Sequence, residues 1–165
     1  MKKIQKNWLG KLETNIKGLE LSTKYNELFT SDLKAAKILI DNELYNQAAY
    51  LLIQTIEKML RSKIFSKVNG DLEYYRERNR SHDISDGIDF LIDITGFDEL
   101  TKKGIKEQLN CTILETEIIS RLNNNLRYPS YSNKFKSYSL LVMSRKDINR
   151  LLQMINNLES YLERM

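Results

Sequence analysis

The stretch RERNRSHDI, Arg76 to Ile84, holds the only histidine of the 165-residue chain, with Arg76, Arg78 and Arg80 just before it. Cleaving an RNA phosphodiester without a metal needs a group to take the 2′-hydroxyl proton, one to protonate the leaving oxygen, and a cation over the phosphate. Imidazole is the usual proton carrier near neutral pH. His82 alone can fill that role here, and Arg76, with five residues between them, has the spacing to supply the cation. The competing reading is a solvated turn that happens to be basic. One cysteine, Cys111, and one histidine leave no Cys/His metal cluster and no internal disulfide; neither a metal nor another cofactor is expected. Cys111 falls on an apolar helical face, which predicts a buried small hydrophobe, and without a nearby histidine in sequence a cysteine nucleophile has no support.

A second constellation lies further on. From Arg121 to Arg150 the basic residues Arg121, Arg127, Lys134, Lys136, Arg145, Lys146 and Arg150 face a single acid, Asp147, and interleave with Tyr128, Tyr131, Phe135 and Tyr138. Cations and stackable rings suit a phosphate backbone with unpaired bases; the alternative is a solvated loop whose rings pack down on the core. The net charge of +4 and pI near 9.0 give a mild bias toward polyanions, short of a dedicated nucleic-acid coat.

The elements that must position these groups are helical. Composition is globular, with 41% hydrophobic and 29% charged residues, and the length suits one domain over 1–165. No apolar run approaches the roughly 20 residues that span a bilayer, and Met1 to Glu20 lacks the apolar core of a signal peptide. No membrane association and a cytoplasmic location are expected. Glycine is scarce and proline occurs once, at Pro129. In NQAAYLLIQTIEKMLRSKIF, Ala48, Leu51, Leu52, Thr55, Ile56, Met59, Leu60 and Ile64 recur at spacings of three and four and form one apolar stripe. Its other face carries Gln47, Gln54, Glu57, Lys58 and Arg61, where Glu57 and Arg61 make an ordinary surface pair a turn apart.

Before it, SDLKAAKILIDNELY repeats the pattern, with Ser31 or Asp32 as its cap; so short a break requires the two helices to pack antiparallel. A third helix is predicted from Ser81 or Asp83 to Gly96, and a fourth from about Gln108 to Tyr128, ended by Pro129. A fifth opens on SRKD, Ser144 to Asp147, a capping-box-like start. Ile4, Trp8, Leu12, Ile16 and Leu19 suggest an N-terminal helix within residues 1–30. The fold class is all-α: an up-and-down antiparallel bundle of about five core helices plus that N-terminal one. If the third and fourth helices are antiparallel neighbours, the start of one meets the end of the other, and His82 approaches Arg127 and Tyr128. A nucleotide phosphate would then sit among His82, the backbone amides of the third helix, Arg127 and Tyr128, with Arg78 and Arg80 at its rim. The structural alternative leaves His82 bonded to a neighbouring backbone group and Tyr128 packed over a helix end.

Three stretches in this order, DLKAAKILIDNELYNQAAYLLIQTIEKMLRS, SHDI and LRYP (Leu126 to Pro129), resemble the HEPN domain over Ser31 to about Leu162, with the first thirty residues an addition. The resemblance implies a helical bundle, often a homodimer, frequently encoded beside a minimal nucleotidyltransferase in toxin-antitoxin or defence settings. It also implies either metal-independent ribonuclease activity or plain binding of nucleotides, RNA or partners. Ribonucleases of the family carry an arginine followed by a polar residue, with a histidine four to six residues on, in the helix that corresponds to the fourth here. In this chain that helix has Arg121 and Arg127 but no histidine. The Arg76/His82 pair lies before the third helix, and Arg76 is followed by Glu77. The expectation is a non-catalytic binding module, with a ribonuclease using His82 and Arg76 or Arg127 as the alternative.

Overall fold

A computed structural model describes residues 15–126 and 128–165. Seven α-helices stand among the described residues: α1 (Leu21–Asp41), α2 (Tyr45–Phe65), α3 (Glu73–Arg78), α4 (Ile84–Asp93), α5 (Glu99–Glu107), α6 (Thr116–Asn125) and α7 (Arg145–Arg164). The fold is an all-α bundle, as the periodicity predicts. α2 is its centre, packing against α1, α4 and α7. The apolar stripe read from its sequence faces the core: Leu52, Ile56, Leu60 and Ile64 are all but fully buried, and Ile53, outside that stripe, is buried with them, each contributing on the order of 1.5–3 kcal/mol. α1 turns into α2 through Asn42, Glu43 and Leu44. The Leu44 amide bonds the Leu39 carbonyl at 2.9 Å and the Glu43 amide bonds that of Ile40 at 3.0 Å, a Schellman closure that forces Glu43 to φ 59°.

Several boundaries depart from the sequence reading. α1 starts at Leu21, so Ser31 and Asp32 lie inside it rather than at its cap; nothing between 21 and 31 breaks a helix, and Asp32 is instead the partner of Lys58 on α2. α3 and α5 have no counterpart in the sequence reading. α4 begins as expected, with Asp83 Oδ1 accepting from the Ser85 amide at 2.7 Å, but it closes at Asp93, short of Gly96. The single rod expected from Gln108 to Tyr128 is two pieces, a π-helical turn over Gln108–Ile113 that continues from α5, and α6. Glu115, at φ 45°, sits at the break between the two. This rewinding turns Cys111 out to solvent, against its expected burial, while Leu109 and Ile113 stay in the core.

Ser130–Ser132 and Ser137–Ser139 form a two-stranded antiparallel hairpin, β1 and β2, in register Ser130↔Ser139, Tyr131↔Tyr138 and Ser132↔Ser137. Its base is tied to the bundle by Asn46 of α2: Nδ2 donates to the Leu141 carbonyl at 2.7 Å and Oδ1 accepts from the Met143 amide at 2.8 Å. α7 opens with the predicted capping box, Ser144 and Asp147 each bonding the other's backbone amide. Of the expected N-terminal helix, Ile4, Trp8 and Leu12 lie outside the described residues; Gly18–Glu20 is one 3₁₀ turn and Leu19 is exposed. No helix among the described residues is long and apolar enough to cross a membrane.

Candidate functional site

On α2, Glu57 and Arg61 fall on the spacing of the buried stripe, four and eight residues beyond Ile53, and the bundle buries both at less than a tenth exposed. They are therefore a buried ion pair and not the surface pair expected. Arg61 Nε donates to Glu57 Oε1 at 3.1 Å. Its remaining donors reach the connection between α3 and α4: Nη1 to the Asn79 carbonyl at 2.7 Å and to Asn79 Oδ1, Nη2 to the Ser81 carbonyl. A guanidinium offers five N–H donors in a fixed fork, and here the fork serves as a clamp on the backbone of the basic stretch. Asn79 Nδ2 continues the network to the Tyr25 hydroxyl of α1 at 2.9 Å, and the Tyr25 ring lies 5.9 Å from the guanidinium.

His82 stands above this network. Its Nδ1 is 2.9 Å from Glu57 Oε1 while its side chain is 80% exposed. Because a carboxylate only accepts, Nδ1 carries the proton. Nε2 makes no hydrogen bond among the described residues.

The proposed phosphate cradle at the start of α4 is occupied by the chain itself. Asp83 caps the Ser85 amide, and Ser81 Oγ accepts from the Asp83 amide at 3.2 Å while donating to Asp86 Oδ2. The field of the helix N-terminus is already answered by two carboxylates. The rim arginines are engaged as well. Arg78 Nη1 donates to Asp93 Oδ2 at 2.6 Å and to the Tyr74 hydroxyl at 3.2 Å, with the guanidinium 4.7 Å from the centre of the Phe90 ring. Partial burial on its own would lower the Arg78 pKa, but the bonds to Asp93 and Tyr74 outweigh it and raise the value above its ordinary one. Arg80 pairs with Glu77 at 2.8 Å on the surface. Arg76 is exposed on α3 and makes no ion pair among the described residues.

Tyr128 is exposed and lines a pocket with Asn46, Gln47 and Tyr50 at the start of α2 and with Leu140. His82 holds Glu57, two turns further along that helix, about 10 Å from Tyr50 at 1.5 Å per residue. The structure thus ties His82 and Tyr128 to different turns of α2, and Arg127 lies outside the described residues. The second rod, whose head-to-tail packing on the first is expected from the sequence to bring them together, is broken at the π turn and Glu115, and its last piece, α6, packs against α4. Sequence reasoning missed Glu57 and Arg61 as site residues. The signal was present: an acid and a base four and eight residues beyond Ile53, an apolar residue outside the stripe read from the sequence.

Among the described residues no cluster of three or more His, Cys, Asp or Glu side chains could hold a metal ion. Residues 30–165 match the family model described as HEPN domain. Comparison with curated proteins and with solved structures finds no match.

Proposed function

From the premise that this chain belongs to the HEPN domain family, a nucleotide-binding and ribonuclease-type module, we propose that it is a binding member that does not cut RNA. The observation carrying this is the use made of the cations around the sole imidazole. Arg61 is consumed in holding the Asn79–Ser81 backbone, Arg78 and Arg80 answer to Asp93 and Glu77, and the side chain bonded to His82 is the carboxylate of Glu57. Cleavage gathers negative charge on the phosphate in the transition state, which the Glu57 carboxylate beside His82 opposes and a guanidinium would stabilise; of the arginines in this stretch only Arg76, exposed on α3, is without an ion pair among the described residues. The ligands that suit the reading are a nucleotide, an RNA or a protein partner such as a minimal nucleotidyltransferase, in a toxin-antitoxin or defence setting. A homodimer is part of it, read as twice 19.5 kDa by light scattering.

One observation favours a second reading, a metal-independent ribonuclease. A buried carboxylate that fixes an imidazole through Nδ1 and leaves Nε2 outward is the arrangement general acid–base catalysis uses. Incubating wild type, His82→Ala and Glu57→Gln with a labelled RNA in EDTA separates the two, together with growth on induction. The binding reading expects no cleavage by wild type above that of the variants. Cleavage by wild type that both substitutions abolish establishes the nuclease and ends the first reading. Titration of wild type with ATP, and with the candidate partner, tests the binding itself.

A further inference from the structure

The loop aromatics, which one of the two sequence readings packs down on the core, do the opposite. Tyr131 is 52%, Phe135 71% and Tyr138 74% exposed. Period-two alternation along β1 and β2 places the two tyrosines on one face and Ser130, Ser132, Ser137 and Ser139 on the other. The tyrosine rings sit 5.2 Å apart in an edge-to-face pair, and Lys134 lies 5.3 Å from the Phe135 ring at the tip, beside Lys136. The charge of the flanking sequence has one sign. Between Glu117 and Asp147 the sequence holds six cations, Arg121, Arg127, Lys134, Lys136, Arg145 and Lys146, and no carboxylate. Asp147 is itself spent in the cap of α7.

We propose that the Ser130–Ser139 hairpin is a stacking platform for single-stranded polynucleotide: Tyr131 and Tyr138, with Phe135 at the tip, receive unpaired bases while Lys134 and Lys136 neutralise the phosphates between them. This rests on the binding reading above and gives it a ligand class and a site. Exposed rings take any base through its π face, and flanking cations take the backbone whatever its sequence. A protein partner would need complementary acid against these lysines and would cover the serine face or the rings. A lipid surface would need an apolar tip, and this tip is two lysines around one phenylalanine with hydroxyls behind it. The platform is tied to the bundle, since Asn46 holds the segment that leaves it. It is also distant in sequence and in attachment from His82, so it requires no chemistry there.

The test uses the full chain and a fluorescein-labelled mixed-sequence 20-mer as single-stranded RNA, single-stranded DNA and duplex, read by anisotropy across a salt series. Wild type is expected to bind the single strands at micromolar concentration and the duplex at least tenfold more weakly. Tyr131→Ser/Tyr138→Ser should lose at least tenfold in affinity with the salt slope kept. Lys134→Gln/Lys136→Gln should lower that slope by about 1.4, at about 0.7 per phosphate contact on a single strand. Tyr131→Leu/Tyr138→Leu keeps an apolar strand pair without a stacking face and must show the same loss, which keeps the result readable if the serine variant unfolds. Wild-type binding that all three variants retain overturns the platform and leaves the module reading standing. No binding of either single strand by wild type overturns the platform too; if ATP and the candidate partner also fail to bind, the module reading falls with it. Competition by vesicles of phosphatidylglycerol and phosphatidylcholine at equal phosphate would overturn the choice of polynucleotide.

Discussion

His82 and Glu57, 25 residues apart in the chain, meet at 2.9 Å between Nδ1 and Oε1, with the imidazole in solvent and the carboxylate in the core. The contact joins an exposed group to a buried ion pair. The two sides of it should respond very differently to substitution.

Arg61→Ala removes the partner of a buried carboxylate and releases the backbone of Asn79 and Ser81. Breaking such a pair from one side costs about 3–5 kcal/mol, whereas His82→Ala, at an exposed ring, should cost under about 1 kcal/mol. Urea denaturation of the two variants measures both. A loss below about 1 kcal/mol for Arg61→Ala would contradict the burial of the pair. Native-state hydrogen exchange should show the 79–83 connection opening in Arg61→Ala and staying closed in His82→Ala.

Asn46→Ala removes both hydrogen bonds from Asn46 to the segment leaving the hairpin. At about 1 kcal/mol each, the expected loss is about 2 kcal/mol, accompanied by faster exchange of the Met143 amide. An unchanged Met143 amide would show that the anchor lies elsewhere.

Asp147 gives a pH signature. Hydrogen bonds from the Ser144 hydroxyl and the Ser144 amide hold its carboxyl below the ordinary value. A group whose pKa is depressed on folding contributes stability that is present above its unfolded value, about 4, and lost as pH falls through the folded one. Wild type should therefore exceed Asp147→Asn in Tm at pH 7, and the gap should narrow as pH is lowered from 5 toward 2. A gap independent of pH would remove the carboxylate from the account of this cap.

Glu43 closes α1 in the left-handed region, where a side chain is strained and glycine is not. Glu43→Gly should raise stability by up to about 1 kcal/mol, seen as a higher Tm. A lower Tm would mean that the Glu43 side chain does more than occupy the turn.

The bundle was legible in the sequence because apolar periodicity is a local property. Residues three and four apart share a helix face whatever lies opposite, so the stripe of α2, the Asp83 start of α4 and the Ser144–Asp147 cap of α7 could all be read from short windows. Residues 30–165 carry the family in the same way, through the order of helix signals.

The fate of the charged side chains was not local. Glu57 and Arg61 stand at core spacing with the composition of a surface pair, and only packing against the Asn79–His82 connection, 18 to 25 residues away, decides that they are buried. The fourth rod was misread for a related reason: Gln108–Ile113 has an unbroken helical pattern, and tertiary packing selected the π turn that exposes Cys111 and redirects α6. The aromatic content of residues 128–138 was visible at once, but its direction was not. A two-residue period puts both tyrosines on one face, and the bundle offers that face nothing to pack against.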